Sequence, residues 1–340
     1  MAKTAVVILN WNGKNFLEKF LPSVLKHSHG YANIIVADNA SVDGSVEFLK
    51  ASFPEVGIIQ NSVNGGFAKG YNDALAHVKA EFFILLNSDI EVTENWIHPV
   101  IDLMEGDPMI AACQPIIRSF HHPEKFEYAG AAGGYIDSFG YPFCRGRIFQ
   151  HLEEDIGQYD NPVEIFWATG ACMFVRADVF RKFGGFDEDF FAHMEEIDFC
   201  WRVKHEGYKV MVCPESKVFH VGGGTLPKQS SFKTYLNMRN NISLLYKNLP
   251  SDRLLPVFAS RLILDGIAAF KFLVDGGFGD FWAVVRAHMS FYRRFPIQRK
   301  KRRSINHRKV SCIYSGNIVV DHFLRGKKKF TGLSPLKFSK

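Results

Sequence analysis

The chain has 340 residues, of which 47% are hydrophobic and 22% are charged. This composition is typical of globular proteins and excludes disordered, collagenous and disulfide-stabilised chains. Single domains usually span about 50 to 250 residues, so the length fits one large α/β domain or two smaller ones. Residues 281–340 hold 16 Lys and Arg against one acid, Asp321, whereas the rest of the chain has 25 basic and 34 acidic residues. The body is therefore net negative and the C-terminal segment strongly positive.

The six cysteines show neither CxxC pairs nor the spacing of zinc ligands, so we expect a reducing, cytoplasmic compartment. Residues 1–3 pass directly into an apolar run, which is typical of a first strand rather than of a signal peptide. The most apolar late segment, residues 254–274, is interrupted by Arg261, Asp265 and Lys271. No membrane-spanning helix is therefore predicted.

Short β-rich runs alternate with helical patterns through the first hundred residues. The predicted strands cover residues 5–10, 34–37, 57–60 and 82–86. Runs that are apolar on both faces and separated by helices indicate an α/β fold, with a mainly parallel central sheet and helices on both faces. In such a sheet, ligands bind beyond the carboxyl ends of the strands.

Each predicted strand ends in a polar cluster. The clusters lie at residues 10–13, 38–41, 61–66 and 87–89. Asn, Asp, Ser and Gly are also turn and helix-cap residues, which is the simpler explanation of any one cluster. Four clusters in succession favour a ligand site at this edge of the sheet.

The later part of the chain is less regular at first. Residues 108–165 are rich in Gly and aromatic residues and predict loops and short strands. A strand is predicted within 165–175, followed by one helix near 178–183 and another from about Glu195. Strand candidates rich in Val and Cys continue to residue 221.

The order and spacing of these motifs resemble those of family 2 glycosyltransferases with the GT-A fold, and among them rhamnosyltransferase-like members. The resemblance covers roughly residues 4–225. It implies a GT-A domain over residues 1–250, with a nucleotide-binding half at about 1–107 and an acceptor-binding half at about 108–250. A helical, amphipathic and polybasic extension would follow over 251–340. The motifs are Asn10-Trp11-Asn12-Gly13, the run 38–45 (DNASVDGS), the run 64–72 (NGGFAKGYN), the run 85–89 (LLNSD), the run 184–191 (GGFDEDFF), Glu195-Glu196-Ile197-Asp198, and His220.

The resemblance implies that the polar clusters hold a nucleoside-diphosphate sugar. Asp38 is suited to accept a hydrogen bond from the N3–H of uracil or thymine, although a helix cap is the alternative role. The glycines at 65 and 66 open a helix whose N–H groups suit a diphosphate. No GxGxxG run follows the first strand, so a dinucleotide-binding dehydrogenase loses its main support. The predicted donor-binding residues are Asn10, Asn12, Asp38, Asn39, Asn64, Gly65, Gly66, Asn72, Asn87 and Ser88.

By the same resemblance, Asp89 matches the second acid of the family's DxD metal motif, with Asn87 in place of the first. One carboxylate suffices, because divalent ions are often held by one or two carboxylates and by substrate phosphates. His220 is the expected partner on the metal or diphosphate, and an imidazole ligand favours Mn²⁺ somewhat over Mg²⁺. A lone histidine is more often structural. The glycine-rich residues 222–225 predict a loop that closes over the donor.

Sugar transfer with inversion needs a carboxylate that takes the proton of the acceptor hydroxyl. Glu195, Glu196 and Asp198 are candidates. On a helix, Asp198 can pair with Arg202 four residues on, while Glu196 points about 100° away from Glu195. Glu196 also matches the Asp of the family's Glu-Asp pair. We therefore predict Glu196 as the base, with Asp198 as the second candidate; a solvated acidic helix start is the structural alternative.

The acceptor side of the site is predicted near this acidic cluster. Aromatic rings with a polar edge bind the faces of sugars, although with 32 Phe in the chain any one ring is more often part of the core. The predicted acceptor-side residues are Trp167, Gly170, Asp187 and Glu195.

A basic segment, residues 293–309, carries nine positive charges in seventeen residues and no acid. Anionic lipid and nucleic acid would both suit this charge. The preceding residues 254–292 are apolar and aromatic with interspersed charges, as in a pair of interfacial helices, which favours an anionic membrane surface; no nucleic acid is expected. Packing on the catalytic domain and a homodimer interface are the alternatives.

Together the motifs and the resemblance predict an inverting, metal-dependent transferase. Its donor would be dTDP-rhamnose or a UDP-sugar, and its acceptor a glycan or polyprenyl-linked sugar of surface polysaccharide assembly. We expect it in the cytoplasm, at the inner face of the cytoplasmic membrane, with residues 281–340 dispensable for activity on a soluble acceptor. The alternatives are an inactive nucleotide-sugar-binding protein, which the retained Asp89, Glu196 and His220 disfavour, and nucleic-acid binding through the basic tail.

Overall fold

The computed structural model describes residues 3–222 and 230–340. These parts of the chain contain two sheets. The strands are β1 Thr4–Asn10, β2 Ala32–Asp38, β3 Gly57–Gln60, β4 Phe82–Asn87, β5 Ile90–Val92, β6 Ile110–Ser119, β7 Gly134–Asp137, β8 Pro142–Cys144, β9 Arg147–Ile148, β10 His151–Leu152, β11 Val163–Ile165, β12 Cys172–Arg176, β13 Lys209–His220 and β14 Ile313–Tyr314.

Helices cover both faces of the larger sheet and form most of the segment after residue 230. They are α1 Lys14–Ser28, α2 Ser45–Ser52, α3 Gly66–Leu75, α4 His98–Gly106, α5 Ala177–Lys182, α6 Glu195–His205, α7 Ser231–Asn248, α8 Ser251–Val274, α9 Phe278–Arg293, α10 Phe295–Arg303 and α11 Ile318–Phe323. Short 3₁₀ turns lie at Glu188–Phe190, Phe330–Gly332 and Pro335–Lys337.

The larger sheet has the strand order β11-β13-β6-β12-β4-β1-β2-β3, with β5 paired to β13. Strands β1 to β4 are mutually parallel, and β12 runs antiparallel between β4 and β6. The α/β class with a central sheet is confirmed, and the half beyond β4 is mixed rather than parallel. Because Asn10 is in register with Asp38, and Leu9 with Asn87, the polar ends of these strands meet at one edge.

Each central strand is buried on both faces, which explains its continuous apolar sequence. In β1, Val6 and Ile8 belong to the core on one side of the sheet, whereas Ala5 and Val7 belong to the core on the other. Successive side chains of a strand point to opposite faces, so a strand covered by helices on both sides needs apolar residues throughout.

One prediction for the middle of the chain was wrong. Residues 110–119, expected among loops and short strands, form β6, a ten-residue strand parallel to β13. Its sequence contains Ala, Gln and Pro, which are weak strand signals. Pro115 lies where the pairing with β13 shifts register, so the missing N–H falls at an interruption of the ladder.

The smaller sheet joins distant parts of the chain. Its order is β10-β9-β8-β7-β14, so its last strand comes from residues 313–314. The Tyr314 ring is fully buried against Phe143, and its hydroxyl donates to Asp321. Residues after 310 therefore belong to the body of the protein, and the expectation that residues 281–340 are dispensable is not supported by this packing.

Two expectations about the whole chain can be compared with the structure. All six cysteines lie in its described residues, and each is buried and unpaired. Among the described helices, none combines the length and apolarity needed to cross a bilayer.

Because the C-terminal segment supplies a strand and a buried tyrosine to the smaller sheet, we expect it to contribute to the stability of the whole protein. Tyr314→Ala should lower the free energy of unfolding by roughly 3–5 kcal/mol, the usual cost of truncating a buried aromatic residue. The exposed Leu336 offers a control, since Leu336→Ala should change stability by less than about 0.5 kcal/mol. Chemical denaturation of the full chain measures both. A Tyr314→Ala protein as stable as the wild type would mean that this segment is detachable.

Candidate functional site

A cavity of about 380 Å³ opens at the carboxyl edge of the larger sheet. Leu9 at the end of β1 and residues 87–89 after β4 form one wall. Residues 169–171, residues 191–196 and the end of β13 form the others. The structure brings ten of the sequence-predicted residues together in this lining, namely Asn39, Asn64, Gly66, Asn87, Ser88, Asp89, Gly170, Glu195, Glu196 and His220.

Asp38 lies just outside this lining, in a buried network that fastens the loop after β2 to the end of β1. Its Oδ1 accepts from Asn10 Nδ2 at 3.1 Å, and its Oδ2 accepts from the backbone N–H of Ser41 at 3.0 Å. Asn12 Oδ1 accepts from the backbone N–H of Val42 at 2.8 Å. These contacts are those of turn-forming side chains. Asp38 does not cap α2, whose N-cap residue is Gly44, so the helix-cap alternative is wrong.

Trp11 is a lining residue that the predictions did not include. It follows β1 directly and is 40% exposed beside the cavity. An exposed indole at the end of a strand suits stacking against a planar ring. In the sequence, Trp11 could have been identified as a site residue because it is a large aromatic residue inside the polar cluster at residues 10–13.

The start of α3 is not open to a diphosphate, contrary to the prediction. The N–H of Gly66 donates to Asn64 Oδ1 at 2.9 Å, and the N–H groups of Phe67 and Ala68 donate to the carbonyl of Phe191 at 2.6 and 3.2 Å. Gly66 has φ of +77°, and a Cβ there would lie 2.4 Å from the Phe191 oxygen. The absence of a side chain at Gly66 therefore makes room for the backbone of Phe191 rather than for a phosphate. Gly65 lies outside the cavity lining.

Asn72 also has a structural role. Its Nδ2 donates to the carbonyl of Phe186 and its Oδ1 accepts from the N–H of Phe186, both at 2.9 Å. This pair of hydrogen bonds holds the turn at residues 184–187 against α3. Asn72 is accordingly withdrawn from the predicted donor-binding residues.

A strained loop leads from this turn to the acidic cluster. Phe191, His193 and Met194 have φ of 64°, 69° and 76°, in the left-handed region. Such residues cost about 1–3 kcal/mol each and persist only where the surroundings hold them. The buried Asn240 of α7 supplies this support, since its Nδ2 contacts the carbonyl oxygens of residues 190, 192 and 193 at 2.9, 2.8 and 2.7 Å.

The loop delivers Glu195 and Glu196 to the cavity at the start of α6. Both side chains line it, and the Oε2 atom of each is buried without a hydrogen-bond partner among the described residues. Burial and the adjacent Glu196 carboxylate raise the pKa of Glu195 well above its usual range. Burial raises the pKa of Glu196 to about 7. The start of α6 therefore carries a buried Glu195 beside a partly buried Glu196, and it is not a solvated acidic helix start.

Asp198 points away from the cavity, so the structure contradicts its candidacy as the base. The side chain is fully buried, and its Oδ2 accepts from Arg202 Nε and Lys247 Nζ, both at 2.8 Å. Its Oδ1 accepts from Asn248 Nδ2 at 2.9 Å. Two cations lower the pKa of this carboxyl despite its burial. Asp198 joins α6 to α7, and the i,i+4 pairing with Arg202 is as predicted.

Two of the predicted acceptor-side residues lie elsewhere. The Trp167 side chain is buried, and its Nε1 donates to the carbonyl of Tyr135 at 3.0 Å. The Asp187 carboxylate forms ion pairs with Lys247 and Lys301, which come from α7 and α10. Gly170 and Glu195 remain in the lining.

Asp89 and His220 meet at the floor of the cavity. His220 Nε2 lies 3.2 Å from Asp89 Oδ1. On the other side of the ring, Nδ1 lies 3.1 Å from Glu127 Oε2, outside good hydrogen-bond alignment. Burial opposes protonation of the imidazole, but the two carboxylates outweigh it and raise the pKa of His220 to about 10. The imidazole therefore holds a proton at neutral pH, and a cation that binds Nε2 would have to displace it.

Glu127 is a third acid that the sequence did not single out. It precedes β7 in a Gly- and aromatic-rich stretch without a recognisable motif. A carboxylate beside the second nitrogen of an imidazole fixes its tautomer and leaves the first nitrogen available as a ligand. The glycine-rich loop predicted at 222–225 begins at Gly222, and residues 223–225 lie outside the described residues.

The mixed sheet and the acids at its carboxyl edge define a glycosyltransferase of the GT-A fold. The chain belongs to the family described as glycosyl transferase family 2, whose model matches residues 5–184. Among curated proteins, it is 26% identical over 235 residues to N-acetylglucosaminyl-diphospho-decaprenol L-rhamnosyltransferase of Mycobacterium tuberculosis. That match covers 63% of this chain and 75% of the relative. The predicted resemblance to rhamnosyltransferase-like family 2 enzymes is thus confirmed.

Solved structures share the fold. A crystal structure of GalNAc-T7 with UDP, GalNAc and Mn²⁺ matches with a TM-score of 0.56 at 18% identity, covering 74% of this chain and 49% of that one. This chain therefore spans about half the length of that neighbour. The mannosyltransferase PcManGT from Pyrobaculum calidifontis, in complex with GDP-Man and Mn²⁺, matches with a TM-score of 0.52 at 14% identity, covering 86% and 75%. At these identities the likeness shows the fold alone.

The buried Glu195 predicts a pH-dependent stability. Its folded pKa is raised above the ordinary 4.5, so the folded state keeps a proton that the unfolded chain has lost. The free energy of unfolding must then fall as pH rises from about 4.5 towards the folded pKa. Glu195→Gln removes this penalty, so we expect a variant more stable than the wild type at pH 8 and equal to it at pH 4.

Urea unfolding at several pH values measures this effect. Glu206→Gln at the end of α6 is the matched control, because Glu206 is exposed and its replacement should leave the profile unchanged. A Glu195→Gln protein that is less stable than the wild type at alkaline pH would show that the folded state binds the ionised carboxylate favourably.

Proposed function

We propose that this protein transfers a sugar, with inversion of the anomeric centre, from a nucleoside-diphosphate sugar to a hydroxyl group of a glycan or lipid-linked acceptor. One observation carries the proposal. Glu196, which has an unpaired oxygen and a pKa near 7, lines the same cavity as the Asp89–His220 pair. The proposed base for the acceptor and the pair that would bind the diphosphate, through a cation, thus line the same cavity.

Glu196 is the proposed general base. A carboxylate whose pKa lies near the working pH is both ionised often enough and basic enough to take a proton. As the acceptor oxygen bonds to the anomeric carbon, its proton passes to Glu196. The bond from the anomeric carbon to the diphosphate oxygen breaks, and its electron pair leaves with the diphosphate. Glu195 remains protonated beside it and is a hydrogen-bond donor for the acceptor side.

A divalent cation fits the opposite end of the cavity. When bound, it supplies positive charge that stabilises the leaving diphosphate. Asp89 and His220 would hold it, since their ligand atoms lie 3.2 Å apart and Glu127 flanks the other ring nitrogen. Within the described residues there is no group of three or more His, Cys, Asp and Glu side chains suited to hold a metal, which agrees with a site that the donor phosphates complete.

The donor and acceptor are proposed from the comparisons. The Mycobacterium tuberculosis relative is named for rhamnosyl transfer to a decaprenol-linked sugar, and this supports dTDP-rhamnose or a UDP-sugar as donor and a polyprenyl-linked acceptor. Surface polysaccharide assembly at the inner face of the cytoplasmic membrane follows as the setting. Asn39, Asn64, Asn87 and Ser88 are the proposed donor contacts, with Trp11 against the base.

The metal assignment predicts the effect of removing one charge. Asp89→Asn keeps the shape of the side chain but loses its charge, so Mn²⁺-dependent binding of UDP or dTDP should weaken about tenfold to hundredfold. Titration calorimetry with each nucleotide, with and without Mn²⁺, measures it. Asp73→Asn, at an exposed ion pair on α3, is the control. Equal Mn²⁺-dependent affinities of wild type and Asp89→Asn would refute the assignment.

The base assignment predicts a split between binding and turnover. Glu196→Gln should reduce turnover by about 10²–10⁴-fold and leave nucleotide binding unchanged, because the base acts only on the acceptor proton. Wild-type turnover should fall as pH drops below about 7, the pKa of Glu196, and the residual activity of the variant should lack this limb. Asp198→Asn should instead lower stability and retain the limb. An active Glu196→Gln enzyme with a normal pH profile would exclude Glu196.

A further inference from the structure

The outer helices invert the usual distribution of polar and apolar residues. In α8, the charged residues Arg261 and Asp265 are buried, with Arg261 NH2 donating to Asp265 Oδ1 at 2.9 Å. The other Asp265 oxygen lies 3.2 Å from His288 Nε2 of α9, and the Arg261 guanidinium lies 4.1 Å from the centre of the Tyr141 ring. The charged residues in the middle of α8 are therefore turned towards the protein, whereas Asp252 and Arg253 at its start and Lys271 near its end are exposed.

The opposite face of α8 is apolar. Between residues 254 and 270, every exposed residue is uncharged and is Leu, Ile, Phe, Ala, Pro or Gly. Ile263, Ile267 and Phe270 are 65%, 61% and 66% exposed. A helix that lies against a protein in water normally has the reverse arrangement. Contiguous exposed apolar area of this kind indicates a surface that another apolar phase covers.

Helix α9 extends this surface. Phe278, Trp282, Met289 and Tyr292 are all exposed, and their spacings of four, seven and three residues place them on one side of the helix. Aromatic residues with a polar edge are enriched where proteins meet the lipid–water interface. We call this combined surface of α8 and α9 the apolar face.

Charge decides what covers the apolar face. Arg293 at the end of α9 is exposed. In the next helix, α10, and the residues after it, the exposed basic residues are Arg299, Lys300, Arg303, Arg308 and Lys309, while Arg294, Lys301 and Arg302 are engaged within the protein. No acid occurs between residues 281 and 320. A second copy would bring the same positive charge to the contact, whereas an anionic bilayer supplies both the opposite charge and the apolar phase.

We propose that the apolar face docks in the plane of an anionic bilayer, with the exposed basic residues on the headgroups. The inference rests on the proposed function in one respect, because a lipid-linked acceptor gives the docking a use. Since none of the described helices can cross a bilayer, the contact is interfacial rather than spanning. The apolar face, rather than the charge of the tail alone, holds the protein at the membrane.

The apolar face also ends beside the cavity. Helices α7 and α9 start next to each other, since Thr234 Oγ1 donates to Asp280 Oδ1 at 2.6 Å. A Cβ at Gly279 would lie 3.5 Å from the side chain of Ser231. Phe232, the next residue, is half exposed and lines the cavity. An acceptor therefore reaches the cavity with its lipid chain still in the bilayer.

Vesicle co-sedimentation tests this docking on the full chain. Ile263→Gln/Ile267→Gln should reduce partition onto phosphatidylcholine–phosphatidylglycerol vesicles by about tenfold or more. Ile156→Gln, at an exposed position in a loop of the body, is the matched control and should leave partition unchanged. Arg299→Gln/Lys300→Gln should reduce partition about fivefold per charge, and only on vesicles that contain phosphatidylglycerol.

Sedimentation velocity tests whether the apolar face is instead a dimer interface, and turnover on a soluble acceptor tests the proposed reaction independently of membrane docking. Equal partition of Ile263→Gln/Ile267→Gln and wild type would overturn the docking proposal, as would a wild-type dimer that this double variant converts to a monomer in sedimentation velocity. Turnover on a water-soluble acceptor should be the same in both proteins, since neither residue lines the cavity. Vesicle binding by a wild-type protein that transfers no sugar would refute the reaction and support the docking.

Discussion

The carbonyl of Phe191 accepts the N–H groups of Phe67 and Ala68 in the first turn of α3, and the arrangement of the candidate site depends on this contact. It brings the loop before α6 against the helix that follows β3, so that Glu195 and Glu196 lie across the cavity from residues 87–89. The loop has three non-glycine residues with positive φ, and Asn240 holds it from the other side. Strain of this kind is stable only between two rigid elements, here α3 and α7.

A group of charges connects the same loop to the basic segment. Asp187 precedes the 3₁₀ turn before the loop and Asp189 lies within it. The two carboxylates pair with Lys247 of α7 and with Arg294 and Lys301 around α10. The sequence shows a negative body and a positive tail, which suggests two separate parts. In the folded protein some acids of the body form ion pairs with basic residues of the tail beside the site. The basic residues that are not in these pairs supply the exposed positive charge.

Much of the fold was predictable from local pattern. The strands at 5–10, 57–60 and 82–86 and the helix starting at Glu195 follow from apolar runs and polar boundaries, and the structure reproduces them within a few residues. Strand β6 was missed, because its strand character comes from its neighbours rather than from its residues. In the site, Asp89, His220 and Glu196, which the resemblance singled out, line one cavity in the structure, and their roles stay predictions. The direction of Asp198, the capping of α3 and the contacts of Asn240 and Glu127 depend on distant segments, which no local pattern encodes.

The position of β14 has a consequence for how the protein forms during synthesis. Ser138, just after β7, donates its hydroxyl to the carbonyl of Ser315, which lies just after β14 and 177 positions further along the chain. Contacts of such sequence separation form slowly, and they cannot form before the later segment has been translated. Until then the rings of Tyr135 and Phe143 lack the aromatic partners Phe330 and Phe338. A growing chain therefore exposes these rings until residues 330–338 have been made, and apolar surface exposed in this way is prone to aggregation.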